Sequence, residues 1–97
     1  MANNMDNNTV FKKLILLTGL SFNKELMIQI FRLGGQDVSR SQIHGWRISD
    51  TNNHRYVKMY DDKLDAFLNG LFQYRDLKDA EGIDVFNFDN NKTFDSE

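Results

Sequence analysis

Between Asp61 and Phe72 the apolar residues Leu64, Phe67, Leu68, Leu71 and Phe72 recur at the three- and four-residue spacing of a single helix face. Asp61 reads as the cap of that helix, with Asp62 and Asp65 near its positive end. The same periodicity appears twice earlier. Val10, Phe11, Leu14, Ile15 and Leu17 form one stripe, opened by Asn8 as a cap and closed near Thr18 by Gly19 at a left-handed C′ position. Leu26, Met27, Ile30, Phe31 and Leu33 form another, capped by Asn23 and stopped by Gly34-Gly35. There is no proline and no period-two alternation, both of which all-β folds lean on. The expected class is therefore all-α: one compact domain of four to five short helices.

A further helix, third in chain order, is expected at VSRSQIHGWR, Val38 to Arg47. Ser39 fits the N-cap and Gln42 the N3 position of a capping box, while Val38 and Ile43 have the spacing of a hydrophobic staple. The inward stripe is expected to be Ser39, Ile43 and Trp46, leaving Ser41, His44 and Gly45 outward with Arg40 and Arg47 on the flanks. Trp46 is assigned to the core by its spacing from Ile43. Gly45 costs a helix about 1 kcal/mol relative to Ala, so either the helix ends near it or another segment approaches its backbone closely.

Charge is unevenly spread along the 97 residues. Residues 1–75 carry ten Lys and Arg against seven Asp and Glu, a net +3, whereas residues 76–97 carry two against seven, a net −5. The polar start, residues 1–8, is expected to be a flexible lead, residues 9–75 the helical domain, and residues 76–97 an acidic tail, largely flexible. Ile83, Val85, Phe86, Phe88 and Phe94 lie in that tail among Asp and Asn, so docking on the domain as an extended arm is the alternative. Polar residues Ser49 to Asn53 read as a loop, after which Tyr56, Val57 and Met59 fold back onto the core.

Chemistry of the catalytic or metal-binding kind finds little footing. His44, His54, Asp61, Asp62 and Asp65 are the right residue types, but no HExxH, Gly-rich phosphate loop or cysteine is present. Carboxylates in a first helical turn serve as dipole partners, and the two histidines read as surface residues. The expectation is a protein that is not an enzyme, without a cofactor and without a metal. The lack of cysteine suits a reducing cytoplasm. The apolar run Leu14 to Leu17 is too short for a signal-peptide core or a membrane span, so neither export nor a membrane partner is expected.

The pair of helices flanking Gly34-Gly35 is helix-turn-helix-like, since the second opens with a capped, Ser- and Arg-rich turn of the kind that faces phosphates and base edges. Its linker, Gly34 to Val38, is longer than the three- to four-residue turn of that motif. Ser39, Arg40, Ser41, Gln42, His44 and Arg47 are accordingly the candidate nucleic-acid contacts. The modest basicity predicts weak, salt-dependent binding. The alternative reading is a protein interaction module, or self-association, through the same helix face or the aromatic acidic tail. No small-molecule substrate suggests itself.

Across residues 7–75, the strings NNTVFKKLILLTGL, IFRLGGQDVSRSQIHGWR and HRYVKMYDDKLDAFLNGLFQYR resemble the YehS-like family of bacterial domains of unknown function. The V-S-R opening of the third helix and FLNGL at Phe67 to Leu71 are the most specific elements. The resemblance implies a small, all-helical cytoplasmic protein, in a family whose members often carry two tandem copies. One copy is present here, followed by the acidic tail, which favours pairing of two chains. No catalytic residues transfer with the resemblance.

Overall fold

The computed structural model describes residues 5–86. Four α-helices form without a strand among these residues: α1 (Asn7–Thr18), α2 (Lys24–Leu33), α3 (Arg40–Arg47) and α4 (Asp61–Ala80), with a 3₁₀ turn at Leu20–Phe22 between α1 and α2. The all-α expectation holds, although α4, at 20 residues, is about 30 Å long rather than short. It also continues past Arg75, where the helical region was expected to end.

Each helix contributes one aromatic residue to the centre of the core. Phe11 of α1, Phe31 of α2, Trp46 of α3 and Phe67 of α4 are all essentially inaccessible. Phe11 meets Phe67 edge-on with ring centroids 5.0 Å apart, and Trp46 edge-on at 6.0 Å. Phe31 lies 5.0 Å from Phe67 and 5.3 Å from Trp46. Such tilted and edge-to-face pairs add to area burial because the positive edge of one ring meets the negative face of another. Ile15, Leu20, Met27, Ile30, Ile43 and Met59 fill the space around them.

Helix boundaries follow local chemistry, with two revisions to the expected caps. Asp6, not Asn8, caps α1, its Oδ1 accepting the Thr9 N–H at 2.9 Å. Residues 6–8 are thereby drawn out of the expected flexible lead, and Asn8 is buried. At α4 the N-cap is Tyr60, without a side-chain bond, while Asp61 is the first helical residue and accepts from Asn7 Nδ2 at 2.7 Å. Asn23 caps α2 as expected, and Gly19 ends α1 at a φ of 79°. The capping box of α3 is complete: Ser39 Oγ accepts the Gln42 N–H and Gln42 Oε1 accepts the Ser39 N–H.

Asn8 is a four-way joint. Its amide nitrogen donates to the carbonyls of Trp46 and Val57 at 3.0 and 2.8 Å, and its Oδ1 accepts from the Met59 N–H at 2.9 Å and the Tyr56 hydroxyl at 3.4 Å. The amide thus ties α1 to the end of α3 and to the segment after the loop, which explains why Met59 is buried.

Two apolar expectations fail for geometric reasons. Leu17 is 73% exposed, because it lies two residues, about 200° of helix rotation, from the buried Ile15. Phe72 is 59% exposed, while Ala66 and Gly70 are buried beside Phe67. The inner row of α4 is rotated toward its small residues because α2 passes against them. Any Cβ on Gly70 would overlap the Ile30 carbonyl, and any Cβ on Gly34 the Ala66 carbonyl. No helix among the described residues is long and apolar enough to cross a membrane.

Candidate functional site: a basic groove beside the third helix

Gly45 organises the surface around α3. It was expected outward but is buried, because the chain following the loop runs directly over it. The Val57 N–H donates to the Gly45 carbonyl at 3.1 Å, and a Cβ on Gly45 would stand 2.7 Å from the Arg55 carbonyl oxygen and would overlap the Val57 side chain. Only a residue without a side chain admits this approach. Ser39, expected on the inward stripe, is exposed instead, because its hydroxyl is turned to the Gln42 N–H.

Between α3 and the segment laid across Gly45 lies an open groove of about 550 Å³. Arg40, Ser41, Gln42 and His44 line one wall, His54, Arg55 and Val57 the other, and Lys24 from the start of α2 stands at the groove too. Five of these eight residues are basic types and none is a carboxylate. The acidic residues Asp61, Asp62 and Asp65 line a separate depression on α4. Arg40 is paired with Glu25, an exposed ion pair beside the groove.

Of the six candidate residues read from the sequence, four come together here: Arg40, Ser41, Gln42 and His44. Ser39 serves as the cap. Arg47 sits elsewhere, lining a small hollow with Lys12, Ile15, Leu16 and Ser21, near the bond from Lys12 Nζ to Ser49 Oγ. The two arginines flank α3 but do not share a groove, being seven residues and about 10 Å of helix rise apart. Lys24, His54 and Arg55 were not assigned to this surface from the sequence. The signal that pointed to them was Gly45, whose presence in a short helix called for a segment passing close by.

Among the described residues, Asp6 is the titratable group whose behaviour is clearly shifted. Hydrogen bonds from the Thr9 side chain and backbone hold its carboxyl below the usual aspartate range, so it acts as a charged cap. Among the described residues no group of three or more His, Asp or Glu is placed to hold a metal ion. Every buried side-chain polar atom among them has a partner.

The model of the family described as proteins of unknown function, DUF1456, matches residues 7–76, from the first helical residue of α1 into α4. The chain belongs to the DUF1456 family. No curated protein and no solved structure matches it. The matched span of the DUF1456 domain takes in the four core aromatics, the Asn8 joint, both glycine contacts of the α2 and α4 crossing, and the whole basic groove.

Proposed function

We propose that this DUF1456 domain is a non-catalytic cytoplasmic module that binds the phosphate backbone of nucleic acid in the groove beside α3. The observation that carries the reading is the convergence of Lys24, Arg40, His44, His54 and Arg55 on one groove lined by no carboxylate. Arg40, Ser41 and Gln42 are also the first three residues of α3, where backbone N–H groups and the helix dipole favour an anion. The pairing of Arg40 with Glu25 does not oppose this, since an exposed ion pair is worth about 0–1 kcal/mol and a phosphate can replace the carboxylate. The reading needs no tight helix-turn-helix: six residues, Gly34 to Ser39, separate α2 from α3, more than that motif's turn. The YehS-like resemblance supports the fold and adds no chemistry of its own.

A surface with so few cations neutralises few phosphates, so affinity is set at a non-specific level, with dissociation constants on the order of 10⁻⁴–10⁻⁶ M at physiological salt. Fluorescence anisotropy with a labelled duplex across about 50 to 200 mM salt tests this. Binding is expected to tighten as salt falls, and the double variant Arg40→Ala/Arg55→Ala to flatten the salt slope by about two contacts. Arg47→Ala, outside the groove, is expected to leave the slope close to that of the parent. No binding at low salt, or a slope indifferent to Arg40 and Arg55, overturns the reading.

A further inference from the structure

The outer side of α1 and α4 carries a second groove, apolar and of about 230 Å³, which shares no residue with the basic one. Leu14 and Thr18 of α1 face Leu68, Leu71, Phe72 and Arg75 of α4 across it, and Phe86 lies in it. Phe86 belongs to no helix. Past the end of α4, Gly82 adopts a φ of 80° and the Ile83 N–H bonds to the Lys78 carbonyl at 2.9 Å, which turns the chain back along the helix it has just left. Phe86 then packs against the core's edge, its ring centroid 6.1 Å from that of Tyr74.

This occupant sits there on poor terms. Its φ of 53° is a left-handed conformation that a bulky side chain seldom adopts, so part of the gain from burying the ring is offset by the backbone. With the ring in place, Phe72 still exposes 59% of its surface. Arg75 lines the groove with its guanidinium 5.5 Å from the Phe72 ring centroid, in an exposed pair with the adjacent Asp76 at 3.6 Å, and the segment that carries Phe86 has an exposed carboxylate, Asp84, two residues before it. An apolar slot beside a cation, filled by a strained aromatic from an acidic segment, is matched to that class of sequence rather than to one copy of it.

We propose that the α1 and α4 groove is a docking site for a short segment of a partner protein that carries a phenylalanine close to a carboxylate, and that Ile83 to Phe86 of this chain holds the site in cis. The chemistry of the partner is read from the occupant: a ring for the slot, and a nearby acid able to replace Asp76 in its exposed pair with Arg75. Because the internal segment is tethered, it competes at an effective concentration in the millimolar range, and a partner gains access by displacing it.

The test uses the full-length chain labelled with ¹⁵N and a peptide with the sequence of residues 82–87, Gly-Ile-Asp-Val-Phe-Asn. Phe86→Ala is expected to bind the peptide at least about tenfold more tightly than the parent, because the tethered competitor is gone. Perturbed resonances are expected at Leu14, Thr18, Leu68 and Leu71, and a peptide with alanine for phenylalanine is expected to produce none. Adding Leu68→Glu to Phe86→Ala should abolish binding. Arg75→Glu, a change at a half-exposed position that leaves the core intact, should weaken binding while the amide spectrum stays that of a folded chain. Equal affinities for the parent and Phe86→Ala, no binding by a folded Phe86→Ala, or perturbations away from α1 and α4 would each overturn the proposal.

Discussion

Gly70 of α4 presses on the carbonyl oxygen of Ile30 in α2, and four residues back along α4 and four residues on along α2 the arrangement is reversed, with Gly34, the C-cap of α2, against the carbonyl of Ala66 in α4. The two helices approach closely because both contact points lack a side chain. Replacing glycine by alanine inside a helix ordinarily stabilises by about 1 kcal/mol. At Gly70 the sign is expected to reverse: Gly70→Ala should destabilise by at least about 2 kcal/mol, since the new methyl group can be accommodated only by moving backbone. Asn69→Ala, one position away and exposed, serves as the control and is expected to be neutral or slightly stabilising. Urea midpoints compare them; a Gly70→Ala variant as stable as the parent would contradict the close crossing.

Asn8 supplies the second prediction. Asn8→Ala removes the partners of two carbonyls, Trp46 and Val57, and of the Met59 N–H, all of which are shielded from water to some degree. Unsatisfied groups of this kind cost about 1–3 kcal/mol each, with overlap among them, so a loss of about 2–4 kcal/mol is expected. Asn8→Asp retains the acceptor but presents a carboxylate to the two carbonyls, and should be no more stable than the alanine variant at neutral pH. Denaturant titration decides; a near-neutral Asn8→Asp would mean that the donor half of the amide is dispensable.

Trp46 and Phe67 offer a third. Both are fully enclosed and touch the same two rings, Phe11 and Phe31. Trp46→Ala or Phe67→Ala is expected to cost about 3–5 kcal/mol, a large share of what holds a domain of this size together. Trp46 is the chain's single tryptophan, so its fluorescence in Phe67→Ala reports the integrity of the cluster directly. A loss below about 1 kcal/mol for Trp46→Ala would show the ring to be replaceable.

The fourth prediction is a pH dependence at the beginning of α1. The Asp6 carboxyl titrates below its ordinary range because the hydrogen bonds from Thr9 favour the charged form. Its contribution is present at neutral pH and is lost as pH falls below about 4 and through the lower folded-state value. Asp6→Ala is expected to cost about 1 kcal/mol at pH 7, with the gap to the parent closing under acid. Asp6→Asn keeps an acceptor that does not titrate, and its stability difference from Asp6→Ala should be the same at both ends of that range. Thermal melts across the pH range provide the comparison.

Helices were legible in the sequence wherever a periodic stripe met a capping residue, as at Asn23 and Ser39, because those signals act within a few residues. Caps went astray where a distant partner competed for the same side chain. Asn8 and Asp61 both look like caps, yet the first is taken by three backbone groups more than thirty residues away and the second by Asn7. Burial along α4 was misjudged at Phe72 because helical periodicity fixes a stripe's width but not which edge of it a neighbour covers. At α3, four of the six candidate contacts converged, and the other wall of the groove was absent from the reading because only the folded chain brings residues 54–57 across Gly45. Docking of the tail at Phe86 was foreseen as the lesser alternative; Phe88 and Phe94 lie outside the described residues.

Every hydrogen bond that the Asn8 side chain makes is to a residue between Trp46 and Met59, so on a chain emerging from the ribosome the beginning of α1 has only its local Asp6 cap until Met59, about fifty residues later, has been made. The first helix to be synthesised is therefore the one that waits longest for its anchor.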